Sequence, residues 1–343
     1  RVEDCRIILT TDSNGYCSYY DARVNCYGGS GSSSTYRPPS STTPSTTFAP
    51  DQLPGPGGER CGEVRYMSTS RIVGGSEAER GQFPWMVMLL IAGEFKCGGS
   101  IIDNTHVITA AHCVDDFRKD RNGVLTLTSR VEIIAGKHIY ALVSSVAEQK
   151  IRVESAVMHP RFRNAVEFGD DVAVMLLEEP LEFNSRVAAL CLPERRYTLP
   201  SECLVAGWGR LDSPYLGPGR KPDALMYVTM PVYTHDRCIA AFANDSSDLR
   251  LEQRIGPGQI CAADISAGGL GSCNGDSGGP LFCLNPAANA YELVGVVSWG
   301  RACGMRPGDL SVYSYMPHYL NWFEAATLML GNTSFPEGNT CFY

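Results

Sequence analysis

The stretch Gly275-Asp276-Ser277-Gly278-Gly279-Pro280 places one serine between an aspartate and two glycines. Two further segments bear on its chemistry: Thr109-Ala110-Ala111-His112-Cys113 and Asp171-Val172-Ala173-Val174-Met175-Leu176-Leu177. A serine hydroxyl is a weak nucleophile at neutral pH, so it needs a base, and the base needs a third group that fixes its tautomer. The three segments supply a serine, a histidine and an aspartate for these roles. The glycines beside the serine let backbone N–H groups approach a developing oxyanion.

Outside these segments, the chain from Ile72 onward consists of short apolar runs separated by Gly, Pro, Asn and Asp. The pattern predicts an all-β fold, an antiparallel barrel or sandwich. The clearest runs are Phe83–Ile91, Ser100–Ile102, Val131–Ala135, Val172–Leu177, Cys203–Ala206 and Leu293–Ser298. A helix is predicted near the end, with Gly331–Asn332 as its stop. Its residues near helical spacing are Tyr319, Leu320, Phe323, Ala326, Thr327 and Leu330.

The N-terminal part of the chain has a different composition. Of the 33 residues in 28–60, 24 are Gly, Ser, Thr or Pro. Such a segment has too few apolar side chains for their burial to offset the conformational entropy lost on ordering. It is therefore predicted to be a linker. Residues 1–27 form a Cys-rich head before it. Residues 61–71 are expected to end the N-terminal region, with the main domain over 72–330 and a tail over 331–343.

Composition narrows the class of protein. The 343 residues include 14 cysteines, and the formal charge is −8. An even number of cysteines spread along the chain favours an oxidising, extracellular compartment over a cytosolic protein with free thiols. Nothing resembles the basic patch of a nucleic-acid-binding protein. The longest apolar run, Trp85–Ala92, is far short of the ~20 residues of a membrane span. Because the chain starts at Arg1, we interpret it as processed, with its leader removed.

The three motifs, in the order His, Asp, Ser, resemble those of the chymotrypsin-type (trypsin-like) serine proteases, and the resemblance covers about 72–330. It implies two six-stranded antiparallel β-barrels with a C-terminal helix. It also implies peptide-bond hydrolysis through an acyl-enzyme on Ser277, with His112 as general base and then acid. Asp171 matches the residue that orients His112. Asp170 is the competing candidate, but the motif places its aspartate directly before the apolar V-A-V run.

The resemblance extends to neighbouring segments. The N–H groups of Gly275 and Ser277 match the oxyanion hole. Arg71-Ile72-Val73-Gly74-Gly75 matches the activation site of a zymogen. Cleavage after Arg71 by an activating protease would free the amine of Ile72 to pair with Asp276. Such a buried ion pair is a weak source of stability but an effective two-state switch.

The resemblance also pairs ten of the cysteines. One pair would keep the propeptide attached after cleavage, and the others lie within the protease domain. The pairs are Cys61–Cys191, Cys97–Cys113, Cys203–Cys283, Cys238–Cys261 and Cys273–Cys303. The remaining four, whose three possible pairings the sequence does not resolve, are Cys5, Cys17, Cys26 and Cys341.

The substrate pocket is expected to be uncharged. Ser298-Trp299-Gly300 matches the segment that pairs with substrate backbone, and Gly300 leaves the pocket entrance open. Gly271, followed by Ser272, stands six residues before Ser277, where trypsin-like enzymes place an aspartate. A pocket without a charge favours large apolar or aromatic side chains, because burial of an unpaired Lys or Arg is costly.

The chain departs from the family pattern between Cys303 and Tyr313. Counting forward from Cys303 places Asp309 on the pocket wall, whereas counting back from Tyr313 places Ser311 there. Chymotrypsin-like specificity is preferred. Two other readings are kept: a broad or Arg/Lys-accepting pocket, and an elastase-like or unusable one.

Several further expectations concern the surface. Asn244 and Asn332 begin glycosylation sequons. Lys137 stands where calcium-binding relatives have a glutamate, so we expect no metal and no cofactor. Expected partners are a protein or peptide substrate, the activating protease and a protein inhibitor. The alternative is that the protein is a catalytically silent homologue that acts as a binding protein. The presence of all three triad residues speaks against this alternative, because such homologues usually lack at least one of them.

Overall fold

The computed structural model describes residues 61–64, 75–120, 123–127, 131–141, 145, 147–162, 169–210, 220–243, 255–263, 271–273, 275–300 and 309–331. For residues 4–11, 17–27 and 242–243 it describes the backbone alone. The strands within these ranges are β1 (Asp4–Thr11), β2 (Cys17–Tyr27), β3 (Ser76–Glu77), β4 (Met86–Ile91), β5 (Glu94–Ile101), β6 (His106–Thr109), β7 (Val124–Thr126), β8 (Val131–Ala135), β9 (Gln149–Met158), β10 (Ala173–Leu177), β11 (Glu202–Gly207), β12 (Met226–Tyr233), β13 (Gln259–Ala262), β14 (Pro280–Asn285), β15 (Ala290–Gly300) and β16 (Ser311–Tyr315). The helices are α1 (His235–Ala243), α2 (Met316–Gly331) and a 3-10 turn at Ala111–Cys113.

The first barrel is built from six antiparallel strands in the order β10-β6-β5-β4-β8-β9. It is closed because β10 pairs with both β6 and β9. The short strand β7 is added on the outside of β9. The pairing of β10 with β6 positions the candidate site. Ala173, the first residue of β10, pairs with Thr109, the last residue of β6, so the chain before β10 and the chain after β6 leave the barrel side by side.

The second barrel follows the same plan. Its six strands run in the order β11-β14-β15-β16-β13-β12, and the pairing of β11 with β12 closes it. The strand β3 is added to β12. The loop that contains Ser277 leads directly into β14, and β15 ends at Gly300.

Aromatic side chains join the two barrels. Trp85 is fully buried, and its ring meets Phe282 edge-on at 5.3 Å. Phe83 packs on Phe282 at 5.1 Å from the first-barrel side. The predicted C-terminal helix is α2, which buries one face against the barrels. Together the two closed six-stranded barrels and this helix confirm the predicted all-β, chymotrypsin-like fold. The helix α1 was not predicted, because nine residues carry little periodic signal.

The Cys-rich head contains an antiparallel hairpin, β1–β2, in whose register Cys5 is opposite Cys26. The predicted tail overlaps α2 at Gly331, and the linker and residues 332–343, with Cys341, lie outside the described residues. The activation residues Arg71 and Ile72 and the sequon residues Asn244 and Asn332 also lie outside them.

Candidate active site

The histidine of the site is held where the first barrel ends. The chain leaves β6 and makes one 3-10 turn at Ala111–Cys113, which carries His112. Before this turn, Thr109 donates its hydroxyl hydrogen to the carbonyl of Gly98 on β5, at 2.9 Å. At its last residue, the Cys97–Cys113 disulfide ties the turn to the same strand. The turn therefore has an anchor to β5 on each side.

Asp171 is fully buried and lies directly against His112. The backbone N–H of His112 donates to Oδ1 of Asp171 at 2.9 Å, and His112 Nδ1 lies 2.7 Å from Oδ2. The hydroxyl of Ser298 donates to the same Oδ2 at 2.6 Å. The hydroxyl of Ser314 donates to the Asp171 carbonyl at 2.7 Å. Asp170 points elsewhere, to the guanidinium of Arg161 at 2.9 Å.

These contacts set the protonation of His112. Burial alone would lower its pKa, but the hydrogen bond and charge of Asp171, with a smaller effect from Asp115, outweigh burial and raise the pKa above the ordinary value. Because Nδ1 faces the carboxylate, Nδ1 carries the proton in the neutral ring and Nε2 is the available base. The arrangement can accept one proton at Nε2 and stabilise the resulting cation.

The loop of Ser277 is fixed in the seam between the barrels. Its carbonyl accepts a hydrogen bond from the N–H of Gly98 at 2.8 Å, and the N–H of Gly278 donates to Val297 on β15 at 2.8 Å. Gly278 has φ of 76°, and a Cβ there would lie 2.7 Å from the Gly98 carbonyl. Only glycine permits this close approach. The loop therefore lies on β5, the strand that braces the turn of His112.

Asp276 points inward, against β11 and the turn that follows it. Its carboxylate accepts hydrogen bonds from the N–H of Gly209 at 2.8 Å and of Cys273 at 2.9 Å. Burial raises its pKa to about 6, although both N–H bonds act in the opposite direction. Among the residues that the structure describes, no cation contacts this carboxylate. Gly275, with φ of 105°, makes the turn beside it.

The candidate pocket is formed where β15 and β16 meet residues 271–273. In the register of this pair, Gly300 is opposite Ser311, and a Cβ on Gly300 would lie 3.4 Å from the Ser311 hydroxyl. Ser311 Oγ accepts from the N–H of Ser272 at 3.1 Å. Gly271 is partly exposed, and Asp309 precedes the first paired residue of β16.

Four of the expected disulfides are present. They are Cys61–Cys191, Cys97–Cys113, Cys203–Cys283 and Cys238–Cys261. Cys273 is also disulfide-bonded, and its expected partner, Cys303, lies outside the described residues.

Lys137 forms a buried ion pair in the first barrel. Its side chain is 1% exposed, and Nζ lies 3.1 Å from both carboxylate oxygens of Glu148. A lysine in this position occupies the carboxylate that a cation would otherwise attract. The absence of a metal stays a prediction, and a rise in melting temperature with calcium would contradict it.

Some supporting residues were missed by the sequence analysis. Gly207 and Gly209 flank the Asp276 carboxylate so closely that a Cβ on either would clash with it. The triplet Gly207-Trp208-Gly209 was the available signal. Ser314, by contrast, is an ordinary strand serine with no local signal. Ser298 was expected only to pair with substrate, yet its hydroxyl also holds Asp171.

Comparisons with known proteins agree with this geometry. The sequence model of a family described as Trypsin matches residues 72–323. "Mannan-binding lectin serine protease 1" of Homo sapiens is 35% identical over 265 residues, which are 75% of this chain and 36% of that protein. "Ovochymase-2" of Mus musculus is 36% identical over 68% of this chain and 36% of its own length. "Coagulation factor IX" of Cavia porcellus is 32% identical over 74% of this chain and 80% of its own.

The chain therefore spans little more than a third of the length of the first two relatives. The helices that the structure describes are too short or too polar to cross a bilayer. The family match nevertheless covers most of the chain and both barrels. On this evidence, the chain belongs to the trypsin family of serine endopeptidases.

Proposed function

We propose that this protein is a secreted serine endopeptidase, made as a zymogen, whose catalytic residues are His112, Asp171 and Ser277. The observation that carries the proposal is the 2.7 Å contact between His112 Nδ1 and the buried carboxylate of Asp171. That contact orients the imidazole and raises its pKa, as a general base requires.

In the first half of the reaction, Ser277 Oγ attacks the carbonyl carbon of the substrate while its proton passes to His112 Nε2. The C–N bond then breaks, and the leaving amine takes that proton, which leaves an acyl ester on Ser277. In the second half, water loses a proton to His112 and attacks the ester carbonyl. The C–O bond to Ser277 Oγ then breaks, Oγ takes that proton back from His112, and the acid product is released. The N–H groups of Gly275 and Ser277 receive the oxyanion in both halves, the electrostatic term that is usually the largest.

Activation by cleavage after Arg71 is part of the proposal. The carboxylate of Asp276 is turned inward, accepts two backbone N–H bonds and contacts no cation within the described residues. Burial raises the pKa of this carboxyl to about 6, and the two N–H bonds only partly oppose that rise. The new ammonium of Ile72 would supply a cationic partner. Because Asp276 lies between Gly275 and Ser277, the ion pair would hold both oxyanion donors in place.

The proposed specificity is chymotrypsin-like, for large apolar or aromatic side chains. The register that sets Ser311 opposite Gly300 supports an uncharged wall. A hydroxyl there supplies no counter-charge for Lys or Arg. A peptide-library profile of the cleaved enzyme tests this, with Asp309→Ala expected to be neutral and Ser311→Asp expected to admit Arg. Cleavage confined to Arg and Lys, and abolished by Asp309→Ala, would contradict the proposal.

Secretion and partners follow from the same reading. Four disulfides in the described residues suit an oxidising compartment. The expected partners are protein substrates, a protein inhibitor and an activating protease that cuts after Arg71. Cys61–Cys191 would keep the N-terminal region attached after that cut.

The deciding experiment is labelling with a serine-directed phosphonate. The chain is cleaved at Arg71 and labelled beside two controls, the variant Ser277→Ala and an uncleavable Arg71→Gln chain. Rapid labelling of the cleaved chain alone is the expected result. A correctly cleaved chain that does not react would instead favour the catalytically silent binding protein.

A further inference from the structure

Asp170, the neighbour of the proposed catalytic aspartate, holds an unusual backbone conformation. Its φ is 55°, in the left-handed region that non-glycine residues rarely adopt. Two other described non-glycine residues share a positive φ, Ala92 and Asn289, and both lie in the turns of hairpins. Asp170 instead lies in the turn that leads to Asp171. Short polar residues tolerate this region best, which is consistent with an aspartate here.

The backbone of Asp170 sets the direction of the next residue. Its carbonyl accepts a hydrogen bond from the N–H of Val172 at 2.9 Å, so Asp171 is the middle residue of a tight turn. The carbonyl of Val172 in turn accepts from the N–H of His159 at 2.9 Å. The direction in which the Asp171 carboxylate leaves the chain therefore depends on how Asp170 is held.

The side chain of Asp170 contacts two residues that follow the neighbouring strand β9. Its Oδ1 lies 2.9 Å from Arg161 Nη2 and 3.6 Å from His159 Nδ1. Both partners follow β9, which pairs with β10. The ring of His159 packs edge-on against two aromatic residues of α2, Tyr319 at 5.4 Å and Trp322 at 5.2 Å. One partner of the carboxylate, His159, is thus itself packed on the helix.

Two basic groups lie against this carboxylate, Arg161 and His159, and its charge also acts on His318 of α2. Burial lowers the pKa of His159 to about 4, and burial also lowers the pKa of His318. Both imidazoles are therefore neutral at pH 7, and Arg161 is the cation that pairs with Asp170.

We propose that Asp170 is a positioning residue, whose ion pair with Arg161 holds the turn that presents Asp171 to His112. This inference rests on the proposed function, since it assumes that His112 and Asp171 act in catalysis. The side-chain contacts of Asp170 are with Arg161 and His159, and none of them is with His112. Without its charge, the turn would loosen and the Asp171–His112 hydrogen bond would be formed less often. Ser298 and Ser314 would remain bonded to Asp171, so the effect is partial.

The test uses variants of the full, cleaved chain. Asp170→Asn keeps the shape and the tolerance for positive φ, and Asp170→Gly keeps only that tolerance. Each should lower kcat about tenfold with KM unchanged, the signature of lost positioning. Arg161→Gln should match them, and the double variant with Asp170→Asn should lose no more, because the two residues act as one pair.

A control ion pair lies at the other end of β10. Glu178 pairs with Arg152 at 2.8 Å, and Glu178→Gln should leave kcat unchanged. A second readout is the pKa of His112, followed by NMR in the intact chain. It should fall in Arg161→Gln, because a weakened bond to Asp171 no longer holds it high, whereas loss of the Arg161 charge alone would raise it.

The outcomes separate the inference from the proposed function. If the parent chain is active and Asp170→Asn keeps its kcat and its His112 pKa, the inference is wrong, even when the melting temperature drops. If the parent chain neither cleaves peptides nor reacts with phosphonate, the proposed function fails. The NMR titration of Arg161→Gln then still decides the positioning role: an unchanged or raised His112 pKa overturns it, and a lowered one supports it.

Discussion

Replacement of Gly209 by alanine should disable the active site without unfolding the protein. A Cβ at this position would lie 2.5 Å from Oδ1 of Asp276, and closer still to Oδ2 and Cγ. Ordinary contact for a Cβ begins at 3.4 Å. In the parent chain, the backbone N–H of Gly209 donates a hydrogen bond to Oδ1 of Asp276 at 2.8 Å. The carboxylate must therefore move by about 1 Å away from the Gly209 N–H that holds it. Close packing of the protein interior prevents the added Cβ from moving away instead.

The size of the effect follows from what Asp276 supports. It lies between Gly275 and Ser277, the proposed oxyanion donors, so its displacement moves at least one N–H out of line. Loss of one such donor costs about 100- to 1,000-fold in kcat. We expect a fall of about 100-fold in kcat/KM, while overpacking lowers the free energy of unfolding by only about 1–3 kcal/mol.

The assay is hydrolysis of a chromogenic peptide by the Arg71-cleaved chain, with phosphonate labelling and a melting curve on the same sample. Gly256→Ala is the matched control, because a Cβ there meets nothing nearer than 4.0 Å. It should keep parental activity. A Gly209→Ala enzyme with parental kcat/KM would refute the reasoning, since Asp276 would then tolerate displacement without effect on the oxyanion donors.

Three further predictions concern buried charges. Because the pKa of His112 is raised, the acid limb of kcat/KM should lie above the ordinary histidine value of about 6.5, and a limb below it in pH-rate profiles would be contrary evidence. In the uncleaved chain, the pKa of Asp276 is about 6, above that of an unfolded aspartate. Its contribution to the free energy of unfolding should therefore be full at low pH and lost as the pH rises through 6. In the cleaved chain, the ammonium of Ile72 should prevent this loss. Urea titrations of the cleaved and uncleaved chains at several pH values measure the difference. Lys137→Met leaves Glu148 buried without its cation and should cost about 3–5 kcal/mol in chemical denaturation, whereas apolar replacement of both should cost much less.

The candidate site could be proposed from the sequence because its residues lie in short segments. The residues around Ser277 and His112 each form a continuous motif, since a sharp turn and close backbone approach need small neighbours within a few positions. The strands were visible for a similar reason: runs such as Met86–Ile91 are buried along nearly their whole length and read as unbroken apolar stretches. The apolar runs alone did not predict that the strands close into two six-stranded barrels; that prediction came from the family resemblance.

The supports of the site could not be read in this way. Asp171 is held by His112, 59 positions away, and by Ser314, 143 positions away, so no local pattern identifies these partners. The same limit applies to Ser311, whose place opposite Gly300 depends on the register of β15 and β16. Local sequence thus determined which groups are the candidates for the chemistry. Barrel closure and strand register alone decided which groups hold them, because those contacts join residues that only the folded chain brings together.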